Sequence, residues 1–328
     1  MDKHTGEIKV KRIGVLSSGG DTPGMNAAIR SIVKVAAAHE IETYGIQFGF
    51  QGLIEGKIIH LESDIVRNIG HKGGTILKTS RSKEFRTEEG QTKAVRMAQA
   101  YDLDGVIAIG GDGTMHGAAA LCEKGVPTIT LPGTIDNDLS YTDFTIGFDT
   151  AVNGVITEII KVRDTMVSHD RIGIVEVMGN ACGDIALHAG LAGAMDYIIL
   201  PEMQFDIDSI CTDLTKQSLK GRRTSMIIVA EGAGKGEELA RYIRNRTNLE
   251  VKSVVLGYTQ RGGSPTARDR ILASRLGEHA VNLLAQGISN RAVGVRGDEV
   301  VDMDIMEALK APKLFDEKLY QLAQILSE

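Results

Sequence analysis

Short apolar runs and helical patterns alternate along this chain, and most of the apolar runs end in a glycine-rich loop. Runs of this length without polar interruption are typical of strands buried on both faces, and they occupy Ile13–Leu16, Val106–Ile109, Thr128–Leu131, Ile172–Val177, Met226–Ala230 and Val254–Leu256. Helical spacing of apolar residues follows at Asn26–Ala38, up to about Glu123, at Thr150–Val167, up to about Ala194, and at Glu237–Arg246 and Ala267–Ala285. The alternation predicts an α/β fold with doubly wound parallel sheets, whose loops gather at the carboxyl ends of the strands.

The composition agrees with this fold class and bounds the number of domains. A chain of 328 residues has the length of about two domains. Only 4% of the residues are aromatic although 42% are hydrophobic, so small and β-branched side chains must fill the core, as they do in parallel sheets covered by helices. No Pro- or Ser-rich linker marks a boundary, but a break near Phe148 follows from the polar loop before the helical pattern Thr150–Val167.

Charge, cysteine usage and hydropathy exclude several classes of function. The net charge of −6 provides no basic field for nucleic acid or an acidic membrane. The three cysteines, Cys122, Cys182 and Cys211, are scattered and odd in number, which disfavours a disulfide framework and fits a reducing cytoplasm. The segment Met1–Arg12 is charged and lacks the apolar core of a signal peptide, and no run reaches the ~18 apolar residues of a membrane span. We therefore expect a cytoplasmic protein without nucleic-acid or membrane partners.

Two glycine- and aspartate-rich loops carry the strongest chemical signal. Gly110–Thr114 reads Gly-Gly-Asp-Gly-Thr, and Pro132–Asp138 reads Pro-Gly-Thr-Ile-Asp-Asn-Asp. Glycines let backbone N–H groups approach a phosphate, and aspartates can bind a metal or accept a hydroxyl proton. The loops lie about 20 residues apart, so neighbouring parallel strands could present both at one sheet edge. The pattern indicates a kinase site built without a Walker A loop.

Each loop also has a purely structural interpretation. Gly and Asp are ordinary turn residues, and Asn137 after Asp136 could form an Asx turn. If the segment is extended, however, Asp136 and Asp138 point the same way, and their repulsion would be relieved only by a cation or a substrate hydroxyl. Weaker signals come from Ser17–Gly24, a glycine-rich helix start, and from arginines placed in loops, which bind phosphate when they are not simply solvated.

Taken together, these motifs resemble one family over nearly the whole chain. Its segments here are Ser18–Asp21, Gly110–Gly113, Pro132–Asp138, Glu176–Gly179 and Gln260–Pro265. From about Arg12 to Leu309 they match the bacterial ATP-dependent 6-phosphofructokinase family in order and spacing. The resemblance implies two α/β domains with the active site in the cleft between them: a larger ATP-binding domain, 1–147 plus 260–310, and a smaller sugar-phosphate domain, 148–259 plus 311–328.

The resemblance also implies substrates, a metal and an assembly. MgATP would phosphorylate the 1-hydroxyl of fructose 6-phosphate, with Asp136 as the general base and Asp112 on Mg²⁺. The enzyme would be a homotetramer whose active and effector sites are shared between subunits.

The implied catalytic residues are Asp136, Asp138, Thr134, Arg81 and Gly20. The implied ATP-binding residues are Gly20, Arg81, Ser82, Gly111, Asp112, Gly113 and Thr114. The implied sugar-site residues are Thr134, Asp136, Arg171, Met178, Gly179, Asn180, Glu231, Lys252, Tyr258 and Arg261, with Arg171 coming from the neighbouring subunit. The implied effector residues are Arg30, Lys34, Arg163, Asp196, Lys220 and Arg222, of which the five cations are expected to need an anion to relieve their repulsion.

The chain departs from the family pattern at several positions. Asn180 and Lys252 stand where the family usually has arginines, and Tyr258 where it has a histidine. In the effector site, Ser63 and Asn68 stand where Arg and Asp are common. These departures keep open a weakly active regulatory paralogue. A pyrophosphate-dependent phosphotransferase is a second alternative, which Gly113 and Gly133 disfavour because pyrophosphate-using relatives usually carry Asp and Lys there.

Overall fold

A computed structural model describes residues 10–327 of the chain. Most of the segment Met1–Arg12, for which we expect no signal peptide, lies outside these residues. Within the described part, no helix combines the length and apolarity required to cross a bilayer.

The described residues form eleven strands and eleven α-helices that alternate along the chain. The strands are β1 Arg12–Ser17, β2 Glu42–Ile46, β3 Ile58–His60, β4 Gly105–Gly110, β5 Thr128–Pro132, β6 Ile172–Val177, β7 Tyr197–Ile199, β8 Ser225–Ala230, β9 Val251–Val255, β10 Arg291–Arg296 and β11 Glu299–Asp304. The helices are α1 Met25–Ala38, α2 Gly49–Glu55, α3 Glu88–Ala100, α4 Asp112–Glu123, α5 Phe148–Ser168, α6 Asp184–Ala192, α7 Ile207–Leu219, α8 Gly236–Thr247, α9 Ala267–Ala285, α10 Ile305–Lys310 and α11 Glu317–Ser327. Short 3₁₀ turns lie at Glu84–Arg86 and Gly257–Arg261.

Two compact units divide the chain, and neither is continuous in sequence. The first contains the chain up to Thr134, then Leu139–Gly147 and Gly263–Lys313. The second contains Ile135–Asp138, Phe148–Gly262 and the chain from Leu314 onward. One division falls between Gly147 and Phe148, at the start of α5. The segment Ile135–Asp138 groups with the second unit rather than the first, since its Asn137 side chain is bonded to Asp184 on α6.

The first unit is built on a seven-stranded sheet in the order β11-β10-β5-β4-β1-β2-β3. Its five inner strands run parallel, as predicted, and β4 and β5 are direct neighbours. The edge strands β3 and β11 are antiparallel to their neighbours, a feature that the sequence pattern did not indicate. β11 follows β10 after only Gly297 and Asp298, a connection too short for the crossover that a parallel pair needs, whereas β2 and β3 are joined through helix α2.

Helices cover both faces of this sheet, which explains why its central strands are apolar throughout. Ile107 and Ile109 on β4 belong to a core that includes α1 and α9 residues. The alternate residues Val106 and Ala108 belong to the opposite core, together with Met115 of α4. Successive side chains of a strand point to opposite faces, so burial of both faces removes the polar alternation of a half-exposed strand.

The second unit is built on a four-stranded parallel sheet in the order β7-β8-β6-β9. Ile172, Ile174, Ile227 and Val229 from β6 and β8 pack in one core with residues of α7 and α8, such as Ile243. The loops that follow β6, β8 and β9 therefore leave the same edge of this sheet.

Candidate functional site

In the first unit, the predicted ATP loops lie where the order of the sheet reverses. β1 pairs with β2 on one side and with β4 on the other, so the chain leaves β1 in one direction and returns to its opposite side. Ligands of doubly wound sheets bind beyond the carboxyl ends of the strands at such a switch point. Gly20 follows β1 there, and Gly111, Asp112, Gly113 and Thr114 follow β4.

These two loops are bonded directly to each other. The hydroxyl of Thr114 is 3% exposed and donates to the carbonyl of Ser18 at 3.1 Å. A Cβ on Gly110 would lie 2.2 Å from Thr114 Oγ1 and 2.5 Å from the Ser18 carbonyl oxygen. Only glycine permits this close approach, so Gly110 has a packing role in addition to its place in a phosphate-binding loop.

A third segment, which contains Arg81 and Ser82, joins the same set of loops. Thr79 Oγ1 donates to the carbonyl of Gly19 at 2.8 Å. The Ser82 hydroxyl donates to Gln51 Oε1 at 2.6 Å and accepts from the Phe85 N–H at 3.0 Å, whereas Arg81 is exposed. Arg81 is thus available for an anion, while the chain itself uses the hydroxyl of Ser82.

Asp112 has the surroundings expected of a magnesium ligand that acts together with phosphate oxygens. Its carboxylate lies in the first turn of α4, with the side chain 63% exposed, and His116 Nε2 is 3.7 Å away. Among residues 10–327, no group of three or more His, Cys, Asp or Glu side chains could hold a metal. Mg²⁺ commonly uses one or two carboxylates plus substrate phosphates and water, so a single exposed carboxylate beside a glycine-rich loop fits it.

Gly133 and Thr134 follow β5 and lie beside the β4 loop. Gly133 forms an isolated parallel bridge to Ile146, and the Thr134 carbonyl accepts from Thr145 Oγ1 at 2.6 Å. A Cβ on Gly133 would lie 2.9 Å from Ile109 Cγ2 and 3.1 Å from Met25 Cε. Packing therefore requires glycine at position 133, a constraint that the sequence did not reveal.

In the second unit, Asp136 and Asp138 lie in a bent segment. Asn137 between them has a φ of +52°, so the extended conformation that we considered for this segment is wrong. Asparagine adopts left-handed backbone more readily than most residues because its short amide can bond locally. The two aspartates nevertheless interact, because the charge of Asp138 raises the pKa of Asp136.

The environment of Asp136 prepares its carboxylate to accept a proton near neutral pH. Burial raises the pKa of Asp136, the negative charge of Asp138 raises it further, and Arg261 partly offsets both, so that the pKa reaches about 6. Glu231 makes an additional contribution that raises it. A general base works best when its pKa lies near the operating pH, and a carboxylate with a pKa of about 6 meets this condition.

We expect this pKa to define the acid limb of the pH–rate profile. The base must be ionised, so kcat/KM for the acceptor should fall about tenfold per pH unit below a pH of about 6. In an Asp138→Asn variant the limb should move to lower pH, because one of the charges that raise the Asp136 pKa is removed. Initial rates measured from pH 5 to 9 test both statements. A limb that stays in place in the variant would contradict the coupling.

The loop after β6 contains the predicted sugar-site residues and is tied to its neighbours through its backbone. The Met178 N–H donates to Gln260 Oε1 at 3.1 Å, and the Asn180 N–H donates to Glu231 Oε1 at 3.1 Å. Gln260 is 2% exposed, and its Nε2 donates to the Gly257 carbonyl at 3.0 Å. The loops after β6, β8 and β9 are thus bonded to one another at the carboxyl ends of the strands, and Gly179 lies in the first of them.

Asn180 and Tyr258, two of the departures from the family pattern, have clear local surroundings. Asn180 has a φ of +55°, a conformation in which an arginine would be strained by about 1–2 kcal/mol. Tyr258 is 78% exposed, and its ring faces the Arg261 guanidinium, 5.4 Å from the ring centroid. This cation–π pair was missed from sequence because nothing in the spacing of the two residues indicates a ring contact.

Arg171 and Lys252 lie at the amino-terminal side of the second sheet. Arg171 Nε donates to Glu250 Oε2 at 2.5 Å, and its side chain is 29% exposed. Lys252 is exposed on β9, in register with Gly173 of β6. Among the described residues of one chain, neither side chain is bonded directly to Asp136.

The expectation that the effector cations need an anion is wrong for two of them. Arg163 Nη2 donates to the carbonyls of Gly193 and Ala194 at 2.5 and 2.7 Å. Arg222 forms an ion pair with Asp196, whose other oxygen accepts from the Met226 N–H at 2.7 Å. The chain's own acceptors offset these charges. Lys220 ends α7 in the same unit, while Arg30 and Lys34 lie on α1 of the first unit.

The glycine-rich loops at a sheet switch point and the buried Asp136 carboxylate of the second unit agree with a comparison against protein families. Residues 12–284 match the family model described as phosphofructokinase, and this chain belongs to the phosphofructokinase family. The resemblance stated from the motifs is thereby confirmed, and so are its α/β fold and its class, a kinase that uses ATP.

Individual relatives agree with this assignment. The chain is 53% identical over 318 residues to a protein of Clostridium tetani named ATP-dependent 6-phosphofructokinase, covering 97% of this chain and 100% of the relative. It is similar to the structure of phosphofructokinase from Saccharomyces cerevisiae, with a TM-score of 0.85, 30% identity, 96% of this chain and 46% of the yeast chain covered. A pyrophosphate-dependent phosphofructokinase from Marinobacter aquaeolei shares the fold, with a TM-score of 0.85, 21% identity and coverage of 94% of this chain and 86% of that chain.

Proposed function

We propose that this chain transfers the γ-phosphoryl group of MgATP to the 1-hydroxyl of fructose 6-phosphate, giving fructose 1,6-bisphosphate and ADP. The observation that carries the proposal is the buried carboxylate of Asp136, whose pKa is raised to about 6 beside Asp138 and Arg261. The relative from Clostridium tetani is named for this activity. The reaction is a step of glycolysis, for which a cytoplasmic location is expected.

In the proposed mechanism, residues of the first unit bind ATP and residues of the second unit bind fructose 6-phosphate. Backbone N–H groups of Gly20, Gly111 and Gly113 hold the ATP phosphates. Arg81, Ser82 and Thr114 complete that site. Mg²⁺ on Asp112 would neutralise charge on the β- and γ-phosphates when bound. Asp136 accepts the proton of the sugar hydroxyl as that oxygen attacks phosphorus, and the Asp138 charge keeps the Asp136 carboxylate sufficiently basic.

The acceptor is held by residues of the second unit. The positive charge of Arg261 acts on Asp136, and Arg261 also compensates negative charge on the transferred group. Asn180 lies in the loop after β6 and donates its N–H to Glu231. Met178, Gly179 and Glu231 line the sugar, and the ring of Tyr258 supports Arg261 there. Lys252, near the start of β9, would serve the 6-phosphate of a neighbouring subunit's sugar, as Arg171 would. Thr134, which follows β5, completes the set of residues proposed to contact the transferred phosphoryl group.

Two alternatives are separated from this proposal by one experiment. The fold is shared with a protein whose title names pyrophosphate as its donor, so the fold does not decide the donor. The departures Asn180, Lys252 and Tyr258 are what would favour a weakly active regulatory paralogue. A coupled assay of fructose 1,6-bisphosphate formation, run in parallel with ATP and with pyrophosphate, distinguishes all three. Equal turnover with pyrophosphate, or no turnover with either donor, would overturn the proposal.

The ring of Tyr258 is expected to matter more than its hydroxyl for sugar-phosphate binding. Tyr258→Phe keeps the ring over Arg261 and should leave KM for fructose 6-phosphate within about twofold, whereas Tyr258→Ala loses a contact worth about 0.5–1 kcal/mol and should raise KM two- to fivefold. Steady-state kinetics at saturating ATP measure both. If the phenylalanine variant is as weak as the alanine variant, the hydroxyl makes the contact with the phosphate.

We also propose that the protein is a homotetramer in which Arg171 serves the active site of a neighbour. Effector binding by Arg30, Lys34, Arg163, Asp196, Lys220 and Arg222 belongs to the same proposal. The proposal is supported by the family resemblance and by the exposed positions of Asn180, Lys252 and Tyr258.

Mixing two inactive variants tests the sharing of sites directly. Arg171→Ala and Asp136→Asn tetramers, dissociated and reassembled together, should regain activity, because some hybrid sites then combine an intact Asp136 with an intact Arg171. Sedimentation velocity should show tetramers of each variant before mixing. Monomers alone, or hybrids without regained activity, would contradict shared sites.

A further inference from the structure

A buried bond connects the loop of the proposed base to the beginning of a helix. Asn137 Nδ2 donates to Asp184 Oδ2 at 2.8 Å, and the two residues are only 3% and 8% exposed. Hydrogen bonds to a buried carboxylate are among the stronger ones in proteins, at about 1.5–3 kcal/mol. The bond spans 47 residues of sequence, so it fixes one loop against another rather than shaping a local turn.

The position of Asn137 makes this bond relevant to the chemistry. Asn137 separates Asp136 from Asp138 and has left-handed backbone. Its side chain points away to Asp184, and a fixed side chain with fixed backbone leaves the two flanking carboxylates little freedom of orientation. The interaction between Asp136 and Asp138 that raises the pKa of Asp136 depends on their separation.

Asp184 is itself held in place. It begins α6, and the N–H of the preceding Gly183 donates to Glu202 Oε1 at 2.8 Å. A Cβ on Gly183 would lie 2.6 Å from Glu202 Oε2 and 2.9 Å from Leu200 Cδ2, so the start of the helix is tightly packed. The same loop carries Met178, Gly179 and Asn180 upstream, which places one end of the sugar site and the base loop on a common support.

We propose that Asp184 is a positioning residue for the phosphoryl-transfer reaction, acting through Asn137 to orient the carboxylate of Asp136. The inference rests on the proposed role of Asp136 as the base. Asp184 touches neither substrate. It contributes by keeping the carboxylate of Asp136, which contacts the sugar hydroxyl, buried and in position. A displacement of a reacting group by about 1 Å can cost on the order of 100-fold in rate.

Four variants test the proposal. Asp184→Ala removes the acceptor, and Asn137→Gly removes the donor but keeps a residue that adopts positive φ freely. Each should lower kcat by about 10- to 100-fold with little change in KM for ATP. The kcat of the double variant should be no lower than that of the less active single variant, because each single variant already removes the Asn137–Asp184 bond. Asp184→Asn keeps an oxygen that accepts from Asn137 and should restore kcat to within about threefold of the original chain.

The pH profile provides a readout that a merely structural role would not change. Burial is the largest cause of the raised pKa of Asp136, so a loosened loop should shift the acid limb of Asp184→Ala below about pH 6. If Asp184 only stabilised the fold, its loss would lower the melting temperature and leave both kcat and the limb in place. That result, or losses of kcat that multiply in the double variant, would overturn the proposal. If Asp184→Ala does not fold, Asn137→Gly and Asp184→Asn decide it by the same criteria.

Failure of the proposed base would be recognised separately. The same cycle of variants, measured on the free energy of unfolding in urea, reports the Asn137–Asp184 coupling without any assumption about the reaction. Asp136→Asn reports the base without altering Asp184. If the Asn137–Asp184 cycle shows coupling but the Asp136→Asn variant stays active, the role of Asp136 as the base is refuted, and the positioning role of Asp184 with it. If the Asp136→Asn variant is inactive but the cycle shows no coupling, only the positioning role is refuted.

Discussion

Replacing Asp136 with asparagine should lower kcat by about 10²- to 10⁴-fold, which is the usual contribution of a positioned general base and corresponds to about 3–5 kcal/mol of activation free energy. The substitution preserves the shape of the side chain and removes the proton acceptor. ATP binding should be unchanged, because the predicted ATP residues lie in loops of the first unit. Steady-state rates of fructose 1,6-bisphosphate formation and a direct measurement of nucleotide affinity test the two parts.

An exposed carboxylate of the second unit, to which Asp136 also belongs, offers a matched control. Asp164 lies on the exposed side of α5, and Asp164→Asn should leave kcat unchanged because the site uses none of its atoms. An Asp136→Asn variant that retains more than about a tenth of the original kcat would sink the assignment of the base.

The Asp136→Asn substitution should stabilise the folded protein at neutral pH. The pKa of Asp136 is higher in the folded chain, about 6, than its ordinary value of 3.8, so folding is disfavoured by ionisation as the pH rises from about 4 to 6. Asparagine removes this cost, and the melting temperature of Asp136→Asn should therefore exceed that of the original chain at pH 7 but not at pH 4. Lost activity with increased stability would also exclude misfolding as the cause.

Gly113→Asp should decrease kcat/KM for ATP by about 10³-fold. A carboxylate about 4 Å from a phosphate charge costs on the order of 4 kcal/mol at an effective dielectric constant near 20, and each 1.36 kcal/mol is about tenfold in rate. The chain itself accepts the new side chain, because a Cβ at Gly113 has no atom within 4 Å. An acidic residue in the first turn of α4 also interacts favourably with the helix dipole.

The neutral variant Gly113→Asn separates charge from size. It has nearly the same shape, so it should retain most of the ATP activity while the aspartate variant loses it. Equal losses in both variants would show that the site excludes the side chain rather than its charge. Circular dichroism of the two variants should be the same as that of the original chain.

The fold was predictable where the hydrophobic pattern was continuous. The predicted helix Ala267–Ala285 has the observed bounds of α9, and the apolar run Val106–Ile109 lies within β4, because burial on two faces leaves an uninterrupted signal. Strands such as β2 and β11 escaped prediction. β2 has polar residues among its apolar ones, and β11 is only partly buried, so neither has a run that periodicity can recognise.

The candidate site was predictable as a set of motifs but not as a set of contacts. Motif spacing located Asp112, Asp136 and Arg261, yet the ring of Tyr258 over Arg261 and the bond from Asn137 to Asp184 depend on folded geometry. Neither pair has a sequence signature, because each joins residues through side-chain orientation. For the same reason, the arginines of the effector set could not be recognised as bonded to acceptors of their own chain.

The crowding around Gly133 limits the routes by which this chain could change its phosphoryl donor. A Cβ there would lie 2.9 Å from Ile109 Cγ2 and 3.2 Å from the backbone nitrogen of Gly110, and the backbone cannot yield without disturbing the β4–β5 pairing. Position 113, in contrast, is open. A lineage that acquired a lysine at 133 would need a prior change at a neighbour such as Ile109 or Met25, whereas an acidic residue at 113 is reachable in one step. Evolution of donor choice in this chain is therefore ordered, with position 113 free to vary before position 133.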